Sequence, residues 1–184
     1  DDPQTTAIRE AYKQYGKSMF MLVGYDEATA QKKMDAVYAI EKRLAEPWYS
    51  QVKLRDVSAN YHKMSFQELV RDFPGIDWTT VFWVSGFPAF DYVDVGQPEP
   101  IHEVEAILAE LPVEAHKSYM EWQLIDHTAS RLTMELDRAN FDFYGKVMSG
   151  REEQQPWWKR ATSTVSSVLG EAIGQLYGEK NFPA

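Results

Sequence analysis

The residues whose spacing comes nearest to a reactive centre are His102-Glu103-Val104-Glu105-Ala106, on a stretch with helical periodicity. Two histidines four positions apart on one helix face hold a divalent metal, and a glutamate beside the first activates the bound water. Here the fifth position is alanine, so the second imidazole is missing and these residues are not expected to bind metal. His62, His116 and His127 share no ligand spacing. Ser85-Gly86 and Ser149-Gly150 lack the flanks of a nucleophile elbow. No glycine-rich dinucleotide or phosphate loop is present. The chain has no cysteine, which removes disulfides, thiolate ligands and a thiol nucleophile. The carboxylates Glu103/Glu105 and Glu152-Glu153 fit solvated helix faces, or helix starts favoured by the dipole. No catalytic residue and no metal ligand are expected within the chain.

Composition narrows the remaining classes. At 184 residues and 21.2 kDa the chain suits one domain with a sizeable core. A net charge of −9 repels phosphate backbones and disfavours nucleic acid. No apolar run is long enough for a transmembrane segment, and no secretion-signal pattern is visible. The chain opens at Asp1-Asp2-Pro3, beside a helix start, as expected of an excised or processed piece. Six tryptophans and 14% aromatic residues leave two options open, an aromatic-rich core or a surface built for a partner.

The elements that position these residues are nearly all helical. Ile8, Ala11/Tyr12, Tyr15, Met19 and Leu22 give a first helix over 5–23, and Gly24 stops it. Asp26 caps a second helix over 27–46, so the two form a hairpin. Short turns fill the stretch from Trp48 to Tyr61. Ser65-Phe66-Gln67-Glu68 is a capping box, and Asp77 caps a further helix holding Trp78, Val81 and Phe82. Tyr92 to Val95 is the one strand candidate. Helices over roughly 101–111, 114–127 and 130–145 follow. The expected fold is all-α, a multi-helix, bundle-like single domain over 1–184 with short irregular connections and at most one short strand.

The end of the chain carries the strongest pattern. Phe141, Phe143, Tyr144, Trp157 and Trp158 are expected to crowd into an aromatic knot. Ala161, Val165, Val168/Leu169, Ala172/Ile173 and Leu176/Tyr177 then recur at helical period. They predict one long terminal helix with its stripe, Val165 included, against the core. Pro156 suits its first turn and Pro183 lies just past its end. Trp157-Trp158 fits core or interdomain packing, with a sugar platform as the other option. Arg160 fits an ion pair with Asp142 or Glu152, or a contact to another domain.

The letters add a resemblance. FDFYGK-x-x-SG-x-x-EQ-x-P-x-WKR followed by VLGEAIGQLY-x-EK-x-FPA resembles the neprilysin family of zinc metallopeptidases, nearest its bacterial endopeptidase-O-like branch. Arg55-Asp56 through Tyr61-His62-Lys63-Met64-Ser65 resembles another family block, with histidine where asparagine is usual. Ile76-Asp77-Trp78, Val95-Gly96-Gln97-Pro98 and Trp122-Gln123-Leu124-Ile125-Asp126 match further blocks, and Ala161 stands where many animal members carry cysteine. The resemblance covers the non-catalytic part. It implies a catalytic domain C-terminal to this chain, zinc in the full-length protein only, and oligopeptide substrates admitted to a chamber between the two halves. It also implies export, periplasmic or at the cell surface. In that setting Phe141, Phe143, Tyr144, Trp157, Trp158 and Arg160 are the expected interdomain or chamber-wall residues. The competing expectation is a self-contained helical module whose aromatics bind a glycan or a peptide.

Overall fold

The computed structural model describes residues 2–182, so Pro183 lies outside the described residues. Helix α1 (Pro3–Leu22) starts with Asp2, whose side chain accepts from the Thr5 amide, and with proline in its first turn. It ends two residues before Gly24, whose φ of 109° is a left-handed conformation that glycine adopts without steric cost. Asp26 then caps α2 (Glu27–Ala45) through the Thr29 amide, 3.0 Å away. The predicted hairpin of α1 on α2 is present.

A smaller lobe follows. Beyond the short α3 (Gln51–Leu54), strand β1 (Lys63–Ser65) pairs antiparallel with β2 (Tyr92–Asp94), Met64 opposite Val93. The expected single strand thus has a partner, as it must, because a lone strand leaves its backbone groups unpaired. Between them lie α4 (Phe66–Asp72), which begins on the predicted capping box, and α5 (Trp78–Val84), capped by Asp77. Leu69, Phe73 and Val95 form the buried centre of this lobe, with Trp78 and Phe82 against them.

Helices α6 (Pro98–Glu110) and α7 (Val113–Thr128) return to the hairpin. Arg43 of α2 ties α6 down through Glu103 at 2.5 Å and Glu110 at 3.0 Å. A 3-10 turn (Ala129–Arg131), α8 (Met134–Asn140) and a π-helical segment (Phe141–Val147) complete the body. The main core joins Tyr15, Met19 and Phe20 of α1, Met34 and Val37 of α2, Trp122 and Ile125 of α7, and Leu136 and Phe143 beyond.

This core is aromatic and threaded by carboxylates. Tyr15 stacks on Phe143 with centroids 5.0 Å apart and meets Trp122 edge-on at 5.5 Å. The Tyr15 and Tyr144 hydroxyls donate to the two oxygens of Asp126 at 2.7 and 2.9 Å. The Trp122 indole donates to the Tyr12 hydroxyl, which donates to Glu41 at 2.8 Å. Burial pushes all three tyrosyl hydroxyls well above their usual range, which keeps them protonated donors.

Burial also raises the Glu41 carboxyl, against the lowering effect of its bond from Tyr12. With the folded value above the unfolded one, the stabilising contribution of the protonated form is complete below the unfolded pKa. It is lost as pH rises through the folded value. Glu41→Gln keeps an acceptor for Tyr12 without the charge. Its melting temperature should exceed the parent's near pH 7, and the gap should close on titration toward about pH 4, the ordinary carboxyl range. A gap that widens in acid would contradict the assignment.

Candidate functional site

Two short helices meet at one carboxylate. Thr133 caps α8 through the Leu136 amide and sets Asp137 one turn further on. Pro156 precedes α9 (Trp157–Val168), and its carbonyl accepts from the Lys159 and Arg160 amides. The Arg160 guanidinium then lies flat against Asp137, both terminal nitrogens at 2.8 Å from its two oxygens. Gln154 donates to the same carboxylate at 3.0 Å, and the guanidinium sits 5.2 Å from the centre of the Trp157 ring. Both charged groups are largely out of water, and such a two-pronged pair is short and directional. The Arg160 Nε is buried without a partner.

The clamp separates two adjoining cavities of about 360 and 370 Å³. Leu132, Met134, Arg138 and Trp157 line the first. Phe141, Tyr144 and Arg151 line the second. Ser130, Asp137, Gln154 and Arg160 face both. In the second cavity the close approach of the Phe141 ring to the backbone demands glycine at 145, where a Cβ would stand 2.3 Å from a ring carbon.

The six residues singled out in the sequence are therefore divided. Phe143 is buried and Tyr144 half-exposed; both belong to the aromatic core with Tyr12, Tyr15 and Trp122. Phe141, Tyr144 and Arg160 share one cavity, and Trp157 shares the other with Arg160. Trp157 and Trp158, at 66% and 63% exposure, do not enter the expected knot. Arg160 pairs with Asp137 and not with Asp142 or Glu152, because Asp142 faces Lys146 one turn on at 2.7 Å. Asp137 and Gln154 carry no signal in the sequence reading, whereas Tyr12 and Tyr15 lie in or against the core as the apolar face of the first helix implies, and what the sequence does not show is their bonding to Glu41 and Asp126. Asp137 and Arg160 lie on separate helices and share no sequence period.

The terminal helix also differs from its expectation. Leu169, at φ −114° and ψ 30°, breaks it into α9 and α10 (Gly170–Asn181), and glycine directly after the break weakens continuation. Neither helix has a buried residue, and Val165 is 48% exposed. The stripe exists but faces solvent, because the body's core is already closed by α1, α2, α7 and α8. Among the described residues, the Asp137–Arg160 bond is the ion pair that joins this arm to the body.

The broken metal motif sits on α6 with every member engaged elsewhere. His102 Nδ1 lies 3.0 Å from Glu105, its ring rests on Phe73, and Glu103 holds Arg43. Among the described residues no three histidine, cysteine or acidic side chains converge as a metal group would require. These residues do not fit zinc. No described helix is long and apolar enough to cross a membrane.

Geometry thus defines an all-α fold with an apolar arm exposed to solvent. The family model described as Peptidase family M13 matches residues 1–184, and the chain belongs to that family. It is 27% identical to mouse membrane metallo-endopeptidase-like 1 over 95% of this chain and 25% of that protein. Human endothelin-converting enzyme 1 is 26% identical over 88% of this chain and 22% of its own length. The chain therefore spans about a quarter of these relatives. Among solved structures, the inhibitor-bound zinc metalloprotease Zmp1 of Mycobacterium tuberculosis superposes with a TM-score of 0.87 at 32% identity, over 98% of this chain and 28% of that one. PepO from Lactobacillus rhamnosis HN001 shares the fold, with a TM-score of 0.81 at 20% identity over 100% of this chain and 29% of its own.

The clamp carries a measurable coupling. In a cycle of Asp137→Ala, Arg160→Ala and the double variant, urea unfolding should give a coupling of roughly 1–3 kcal/mol, as for contacting members of one network. Additivity within about 0.5 kcal/mol, the behaviour of independent sites, would mean that the pair does not hold the arm.

Proposed function

We propose that this chain is the non-catalytic helical portion of an exported zinc metalloendopeptidase, where it forms a wall that restricts the reaction chamber to oligopeptides. The zinc ligands and the water-activating glutamate lie elsewhere in the polypeptide, in a catalytic domain C-terminal to this chain. This portion contributes shape and exclusion, and bond cleavage occurs on its partner.

The supporting observation is one of area. The chain exposes 13161 Å² at 21.2 kDa. A compact monomer of that mass exposes about 9,100 Å², so roughly 4,000 Å² is in excess. On the arm, Trp157, Trp158, Val165, Val168, Leu169, Leu176, Tyr177 and Phe182 all stand exposed. A run of exposed large apolar side chains on one arm is the kind of surface that a partner covers. Membership of a peptidase family whose relatives are about four times as long makes the remainder of the same polypeptide the natural occupant.

Expressed separately, the remainder of the polypeptide should cleave a short fluorogenic peptide weakly or should also attack folded proteins. Adding the 184-residue chain at rising concentration should restore both activity and size restriction. Covalent linkage normally supplies the effective concentration that separated parts lack, so micromolar or higher amounts are needed. Full activity of the remainder alone, with folded proteins still spared, would remove the wall role.

A further inference from the structure

Helix α7 is apolar on two faces. Ser118, Trp122 and Ile125 are buried against the hairpin of α1 and α2. Val113, Met120 and Leu124 are 66%, 71% and 66% exposed. At about 100° per residue, these three lie within roughly 40° of one another and about 150° around the helix from the buried set. Their spacing, with Lys117 between them, is the seven-residue repeat of a seam that takes a second helix. A helix apolar on opposite sides belongs between two layers.

We infer that this outer face of α7 is a second docking surface, and that its occupant is a helix of the same polypeptide outside these 184 residues. The inference rests on the chain being one portion of a longer peptidase, and it is independent of the wall role. Three observations choose this occupant. An excess of roughly 4,000 Å² is more than one ordinary interdomain contact of about 600–1,500 Å² covers, so the arm need not be the sole interface. Leu132 and Met134, a few residues beyond α7 in the chain, are exposed and line the same cavity as Trp157, so exposed apolar side chains continue along the chain from α7 to the base of the arm. A net charge of −9 opposes a second copy of this chain.

The fitting helix has an apolar stripe at heptad spacing and an acidic residue opposite Lys117. That lysine's present partner, Glu114 at 2.7 Å, is a one-turn surface pair whose loss costs little.

Met120 is a built-in probe. Hydroxyl-radical labelling of the 184-residue chain and of the full-length polypeptide, read by peptide mass spectrometry, compares its sulfur in the two settings, with buried Met34 as the reference. Met120 should oxidise much faster than Met34 in the short chain and slow by about tenfold in the full-length protein, because thioether oxidation follows exposure. Equal rates in the two forms would overturn the inference. Protection that instead appears in the short chain as its concentration rises would assign the face to a second copy, and would overturn it too.

Leu124→Glu supplies an independent reading. It should leave the short chain's melting temperature within about 2 °C and lower that of the full-length protein measurably further. An unchanged full-length melting temperature would count against the inference. Neither readout measures peptide-size selectivity, so a failed wall would not disturb them.

Discussion

The carboxylate of Asp137 accepts both terminal nitrogens of Arg160 and the amide of Gln154, and through these bonds α9 leaves the body at a fixed point. Everything beyond that point depends on it, because α9 and α10 bury no residue of their own. Removing one member of such a pair leaves a poorly solvated charge behind, so the contact is defended by the cost of losing it more than by its net gain. The Arg160 Nε is buried and makes no hydrogen bond to another described residue.

The body behind the clamp has its own buried core. Tyr12, Tyr15 and Tyr144 carry their rings into the core and their hydroxyls to Glu41 and Asp126. Buried polar groups of this kind are tolerated because each has its partner, and they fix the relative placement of α1, α7 and the π-helical segment. The small lobe has its own centre around Leu69 and Phe73, reached through Ile101 of α6. The arm differs in having no buried residue of its own among the described residues.

Local rules were legible in the sequence wherever the deciding atoms lie within a few residues. Asp26, Ser65-Glu68 and Asp77 cap the helices that their spacing announced, and Gly24 ends α1 where a left-handed residue was needed. The family letters were legible too, since they run the length of the chain. Periodicity in α9 and α10 was also read correctly, but a period says only that a face is apolar, not which surface covers it. Val165 was therefore assigned to this chain's core and stands in solvent. The partner of Arg160 was misassigned for a related reason: 23 residues and a non-helical stretch separate it from Asp137, and only the packed geometry brings them together. The second face of α7 was invisible to amphipathicity, because apolar residues on both sides cancel any one-sided pattern.

The measurement that bears most directly on this division into a closed body and an uncovered arm is amide hydrogen exchange, compared between the 184-residue chain and the full-length polypeptide. In the short chain, amides of α9 and α10 should exchange through local opening with little protection, while those around Met19, Trp122 and Ile125 should exchange only near the limit of global unfolding. In the full-length protein the arm's amides should rise to the protection of the body. Arm amides as protected as the body in the short chain, or as unprotected in the full-length protein as in the short chain, would contradict the account.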